Sequence, residues 1–479
     1  MKYKGLAKDT GLFAISTFAS KLLVFFLTPL YTSVLSTEEY GIADLVTTII
    51  NTIYPILTLS ISEATLRFAL EKDISKNEVL CTSILFIGIS NILILFFYPL
   101  ILALNEALVT YWWYFVITYI VFNIQNCFSN FIKGTEKTKL YAIQGIIQTI
   151  VIIICNILFL IVFKIGLRGY LISIILGYTI PFILMFFVGK IYLNLHPFRL
   201  NRNLIKEMLR YSIPMIPALL AWSINTSIDK YMITSMIGLS ENGLYSAAHK
   251  IPTILTTVLS VFIQAWQIYA ISNYQNPEAS KNYSEIYNIL NIFSIFACLG
   301  IIILSKPLAI LLYAKSFFSA WKFVPLLTIS AMFSSLSGFL AATYRAAKKT
   351  KSLFVSVIVG ALINIVLNFI LLRSLGTIGA AISTSVSFFV VWLIRFLLAQ
   401  KMVKIVIPKF RTVATYILLF VMAILYMWEL SITLIGACIC ACIILVMNFK
   451  EILKVCCYIR STIKGKKRKK GEKGENDNI

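Results

Sequence analysis

The sequence predicts an all-α integral membrane protein with about 14 transmembrane helices, arranged as two parallel six-helix lobes plus two C-terminal helices. Three observations predict it. Apolar runs of about 20 residues, the length a helix needs to cross a bilayer, recur along the whole chain. They do not alternate as barrel strands would, and hydrophobic residues make up 59% of the chain against 13% charged. Finally, the two halves repeat one another's turn sequences roughly 200 residues apart.

Taken in order, the predicted spans are 11–31, 42–63, 79–101, 111–131, 141–163, 169–189, 211–237, 244–271, 286–304, 323–344, 352–372, 378–398, 412–428 and 432–449. The first is read as a span rather than a cleaved leader, because its apolar run continues through Pro29 to Leu35 with no small-residue cleavage site. Many of the 34 Phe, 24 Tyr and 7 Trp sit near span ends, as interfacial belts would place them. The connection 305–322 is apolar enough to lie in an interface, and the last two spans are short.

Lys and Arg set the orientation. With the N-terminus inside, 34 of the 43 bases fall in cytoplasmic segments and six in outside loops, while Lys21, Lys230 and Lys250 lie within spans. Both termini are therefore expected in the cytoplasm. The net charge of +23 does not point to nucleic acid, since its bases lie between apolar runs and in one tail, KGKKRKK, that suits anionic lipid. The nine cysteines form no framework, and Cys438, Cys440 and Cys442 spread around an apolar helix. The two histidines, His196 and His249, are far apart, so no metal or other cofactor is expected.

The repeat defines four regions: 1–200 and 201–400 as the six-helix lobes, 401–449 as the two added spans, and 450–479 as a basic tail. LSTEEYGIADLVTTI resembles GLSENGLYSAAHKI, with Gly41 matching Gly243. EKTKLYAIQG before span five resembles AKKTKSLFVSVIVG before span eleven, and KIGLRGYLIS echoes SLGTIGAAIS. An even number of spans per half makes the halves parallel, related by an axis along the membrane normal.

Span eight carries Ser246, His249, Lys250, Thr253, Thr257, Ser260, Gln264 and Gln267 on one helical face. The same offset maps that face onto Asp44, Thr47, Thr48, Asn51, Pro55, Thr58 and Ser62 of span two. Polar side chains at membrane depth normally face protein or a watery cavity, so both stripes are expected to line a translocation path. Charges inside spans are the strongest candidates: Lys21 in span one, Asp229 and Lys230 in span seven, Lys250 in span eight, and Glu63 with Arg67 at the end of span two. Local ion pairing explains Asp229–Lys230 and Glu63–Arg67 as readily as function does. The excess of bases suits an anionic substrate, because an ammonium in low dielectric binds phosphate far better than in water. Asn51, Asn225, His249, Gln264 and Gln267 are candidates for the polar lining, with interhelical hydrogen bonding as the competing role.

At TPLYTSVLSTEEYGIADL, YSIPMIPALLAWSINTSIDKYMI, GLYSAAHKI and GTIGAAIS the chain resembles the Wzx-type polysaccharide flippases of the multidrug/oligosaccharidyl-lipid/polysaccharide exporter superfamily. The resemblance implies two six-helix lobes around a central cationic cavity and rocking alternating access. It implies a bacterial cytoplasmic membrane protein that moves undecaprenyl-diphosphate-linked glycan outward, with membrane lipids and polysaccharide polymerase machinery as partners. Lys21, Lys230, Lys250 and Arg67 would then bind diphosphate, and Asp229, or Glu63, would couple an ion. A cation-coupled multidrug or small-molecule exporter of the same superfamily is the alternative. A membrane glycosyltransferase or polymerase fits poorly, because the loops are short and neither a paired-carboxylate motif nor a DxD is present.

Overall fold

In the computed structural model, residues 25–449 are described, apart from residues 72, 100–101, 103–105, 275–277, 348 and 429–431. The described chain is a bundle of helices without strands, and twelve of these helices are long and apolar enough to cross a membrane. The chain is thus an all-α, multi-pass membrane protein. Twelve of the fourteen predicted spans correspond to those helices. The seventh corresponds to Ile216–Met236, a helix of the right length that Asp229 and Lys230 leave less apolar than the twelve. The first lies mostly outside the described residues, and with it Lys21.

Four helices carry the polar stripes and the charges between them: α1 (Thr37–Leu57), α2 (Ile216–Met236), α3 (Leu239–Ala248) and α4 (Lys250–Ser272). Helix α1 starts at a capping box, in which the Ser36 hydroxyl accepts from the Glu39 N–H and the Glu39 carboxylate accepts from the Ser36 N–H. It ends six residues earlier than predicted. Pro55 has no N–H to extend the ladder, and Leu59 and Ser60 turn left-handed (φ 51° and 52°) while the Ser60 N–H closes on the Pro55 carbonyl. A separate helix, Ile61–Ala69, carries Glu63 and Arg67.

The repeat is written into the backbone at matched places. Lys137 and Lys349 each precede a long helix and donate their N–H to a carbonyl five residues back, Ile132 and Tyr344. Gly166 and Gly376 both adopt φ +60° at the following turn. Ser173 and Ser383 each donate to the glycine carbonyl one turn earlier, Gly169 and Gly379, at 2.8 Å.

The C-terminal half is held by aromatic packing inside the bundle as well as at its edges. Trp266 stacks on Phe339 with ring centres 4.2 Å apart and donates its indole N–H to the Phe339 carbonyl. Trp392 donates to the Tyr287 hydroxyl at 2.8 Å and packs against Phe333 and Tyr416. In lipid the helices gain little from apolar burial alone, so such pairs, worth about 0.5–1.5 kcal/mol each, do much of the specifying. The added helix Lys409–Met427 joins this cluster through Tyr416, whose hydroxyl donates to Asn291 at 2.6 Å. Arg395, inside the predicted span 378–398, is buried in Thr377–Ala399, donating to the Ser356 hydroxyl and the Ser337 carbonyl.

Candidate functional site

Helices α1 and α3 cross at the two glycines that the repeat aligns. A Cβ on Gly41 would collide with the Leu239 carbonyl, and one on Gly243 with the Thr37 carbonyl, so each helix sits against the other's first turn. The contact is symmetric because the helices are repeat mates. Thr37 and Ser240 hydroxyls lie 2.7 Å apart, and the Asn242 amide donates to the Gly41 carbonyl. The chain on either side adds Thr32, whose hydroxyl donates to the Leu312 carbonyl and accepts from the Ala314 N–H. This end of the bundle is closed by backbone against backbone.

One turn inside the crossing lies Asp44. Lys230 of α2 reaches its two oxygens at 2.7 and 3.0 Å, and the Ser246 hydroxyl donates to it at 2.8 Å. Asp44 and Ser246 are repeat mates, so the polar stripes of the two halves meet here. Lys250 lies close enough to add to the positive field at Asp44, and among the described residues it has no ion-pair partner. Further along, α1 is zipped to α2 by the Thr52 hydroxyl, 2.8 Å from that of Ser223 and 3.0 Å from that of Tyr231.

Asp229 points the other way. It is buried inside the C-terminal half, where its carboxylate accepts from the Asn368 amide at 2.6 Å, the Thr384 hydroxyl at 2.5 Å and the Tyr245 hydroxyl at 3.1 Å. The Asn368 amide also donates to the Asn364 carbonyl oxygen at 2.9 Å, while the Asn368 oxygen and the Asn364 amide nitrogen have no partner among the described residues. Asp229 and Lys230, adjacent in sequence, therefore do not pair with each other.

The remaining candidates separate. Asn225 is buried one turn from Asp229, accepting from Ser387, rather than on an open face. On the stripes, Asn51 and Thr253 are exposed, His249, Lys250, Gln264 and Gln267 half-buried, and Ser246 and Thr257 buried. Arg67 does not bond Glu63. It pairs with Glu71 at 3.0 Å on an exposed surface, one helical turn in the opposite direction, a contact worth about 0.3–0.5 kcal/mol. Asp44 stood out in the sequence as the repeat mate of Ser246 and as one of three acids open to a small-molecule exporter. Asn364, Asn368 and Thr384 carried no signal, since single Asn and Thr residues in apolar helices are common.

These helices and their crossing define a multi-pass membrane bundle with charged and polar side chains in its interior. The chain belongs to the polysaccharide biosynthesis protein family, whose match spans residues 6–267, more than half of it. It is 21% identical over 406 residues to an uncharacterised membrane protein of Methanocaldococcus jannaschii, covering 81% of this chain and 96% of that one. Among solved structures it is similar to the lipid II flippase MurJ in an inward closed conformation, with a TM-score of 0.68 and 20% identity over 92% of this chain and 99% of that one. It is also similar to an inward-facing multidrug resistance MATE family transporter of the MOP superfamily, with a TM-score of 0.64 and 14% identity over 84% and 98%. The fold is that of this transporter superfamily.

The crossing gives a first prediction. Gly243→Val should hold α1 and α3 apart and lower transport at least about tenfold, since 1.4 kcal/mol is enough for a tenfold shift in population. Disulfide formation between Thr37→Cys and Ser240→Cys reads closure directly. It should be fast in an otherwise wild-type chain and lost when Gly243→Val is added.

Proposed function

We propose that the protein is a flippase that carries undecaprenyl-diphosphate-linked oligosaccharide repeat units from the inner to the outer leaflet of the bacterial cytoplasmic membrane, for surface polysaccharide synthesis. The observation that carries this reading is a pair of lysines, Lys230 and Lys250, held within spans just inside a sealed crossing, in a chain of the polysaccharide biosynthesis family. With both termini in the cytoplasm, as the charge bias suggests, the sealed end faces outward.

In this reading the labour is divided as follows. The crossing at Gly41 and Gly243 is the outer gate. Lys250, Lys230 and Lys21 bind the diphosphate, while Asn51, His249, Gln264 and Gln267 offer hydrogen bonds to the sugar hydroxyls. Arg67, exposed at the other end of the α1 side, is the first base an entering headgroup meets. The prenyl tail stays in lipid between the lobes, 1–200 and 201–400, as they rock. Asp229 rather than Glu63 is the coupling carboxylate: it is buried and held by donors, the Asn368 amide and the Thr384 and Tyr245 hydroxyls, with no base paired to it among the described residues, which leaves its charge for a proton or a small cation.

A clean deletion of the gene tests the reading. Lipid-diphosphate-linked glycan should accumulate on the cytoplasmic side while surface polymer disappears, with rescue by the wild-type gene. Unchanged surface glycan together with new sensitivity to cationic compounds would replace the lipid cargo by a small-molecule one.

A further inference from the structure

A second basic feature lies away from α1–α4, where the helices Trp112–Gly134 and Gly166–Val188 end and Thr138–Asn156 begins. An open cavity of about 500 Å³ is lined there by Glu136, Lys137, Lys139, Leu140, Val188 and Lys190. Three lysines against one glutamate leave the lining with excess positive charge, and none of the four makes an ion pair among the described residues.

Both helix ends put a charged residue where the backbone turns left-handed. After Trp112–Gly134 the turn is made by Glu136 (φ 59°), with the Glu136 N–H on the Lys133 carbonyl and the Lys137 N–H on the Ile132 carbonyl. After Gly166–Val188 it is made by Lys190 (φ 53°), whose N–H donates to the Phe187 carbonyl. Glycine is the usual occupant of this position, and a residue with a Cβ is strained in it. The glycine here comes one residue too early for that role: a Cβ on Gly189 would collide with the Met185 carbonyl and the Ile132 side chain. In the second half the helix Thr377–Ala399 ends on Gln400 at φ −57°, without that turn. Strain of this kind persists where it places a functional side chain. Lys137 spans the two helix ends, since its ammonium donates to the Gly189 carbonyl at 2.7 Å and keeps two further N–H bonds to offer. Lys139 and Lys190 are exposed.

The surface beside the lysines decides the ligand. Leu140 and Val188 complete the lining, Phe187 and Val188 are each 62% exposed, and Ile143, one turn from Lys139, is 49% exposed. On a membrane bundle such apolar side chains face lipid. An apolar wall that runs onto the lipid-facing surface, with ammonium groups at its polar end, matches a phospholipid and offers a soluble phosphate nothing beyond its charges. The excess of positive charge selects against a zwitterionic headgroup, whose own charges cancel. By the charge bias this end of the bundle faces the cytoplasm, the side on which basic pockets between spans meet anionic headgroups.

We propose that this cavity binds one anionic phospholipid, its phosphodiester held by Lys137, Lys139 and Lys190, whatever cargo the protein carries. Glu136 accepts from a headgroup hydroxyl, which phosphatidylglycerol supplies.

The experiment uses the full chain, delipidated in detergent, with phosphatidylglycerol or phosphatidylcholine added and bound lipid counted by native mass spectrometry. Wild type should hold one phosphatidylglycerol at least about tenfold more tightly than phosphatidylcholine, and Lys139→Ala/Lys190→Ala should lose that preference. Should the double variant fail to fold, Lys190→Gly keeps the result readable. It relieves the left-handed turn, so it should unfold at no lower a temperature than wild type, yet bind phosphatidylglycerol about fivefold less tightly. Unchanged phosphatidylglycerol binding in these variants, or equal binding of the two lipids by wild type, would overturn the site. Displacement of the bound phosphatidylglycerol by an equimolar amount of undecaprenyl diphosphate would assign the lysines to the cargo and overturn it as well.

Discussion

Lys230→Ala should reduce glycan export at least about tenfold and should also loosen the outer gate. The lysine holds both oxygens of Asp44, so its removal leaves a half-buried carboxylate with only the Ser246 and Thr48 hydroxyls, at a cost of about 1–3 kcal/mol. That loss falls on the closed state, where the pair is made. The Thr37→Cys/Ser240→Cys disulfide should accordingly form more slowly in the variant. Two roles are then tangled, since Lys230 also belongs to the proposed diphosphate site.

The double variant Asp44→Asn/Lys230→Met separates them. With both charges gone the gate has no orphaned ion to hydrate, and disulfide formation should return toward the wild-type rate. Export should stay low, because the phosphate still lacks its ammonium. Wild-type export from the double variant would make Lys230 a latch and nothing more. Lys250 gives the complementary case: it has no ion-pair partner among the described residues, so Lys250→Ala should lower export while leaving the disulfide rate unchanged. Combined with Lys21→Ala it should abolish export with normal membrane insertion.

The fold was legible in the sequence because membrane spans are written in length and hydropathy, which need no partner to be read. The repeat was legible too, since Gly166 and Gly376, or Ser173 and Ser383, do the same local work in both halves. What the sequence hid is pairing across distance. Lys230 sits beside Asp229 in the chain, yet a step of one residue turns a helix by about 100°, so the two side chains face different halves of the molecule. The partner of Lys230, Asp44, is 186 residues away, and the asparagines around Asp229 come from a helix more than 130 residues on. Arg67 shows the same limit at short range: Glu63 and Glu71 are both four residues away, and spacing alone does not choose between them.

Asp229→Asn should abolish ion-driven export while leaving the protein folded, and the surrounding amides explain why both can hold. The substitution keeps shape and one acceptor oxygen, which Tyr245 and Thr384 can go on using. The new amide would face the Asn368 amide, a clash of two donors. Asn368 has an unpartnered oxygen and Asn364 an unpartnered amide, however, and a flip of both side chains turns the clash into a hydrogen bond while keeping the bond between the two asparagines. Folding should thus change by no more than about 1 kcal/mol, whereas Asp229→Ala, which strands three donors, should cost about 2–4 kcal/mol. Thermal unfolding in detergent checks this difference. Export in proteoliposomes checks the function: in the wild type, glycan-lipid movement should follow an imposed cation gradient, and in Asp229→Asn the two should be uncoupled. An Asp229→Asn protein whose export still tracks the gradient would reduce the carboxylate to a hydrogen-bonding post that ties α2 to Thr350–Leu375 and Thr377–Ala399. The coupling ion would then have to bind elsewhere in the polar interior.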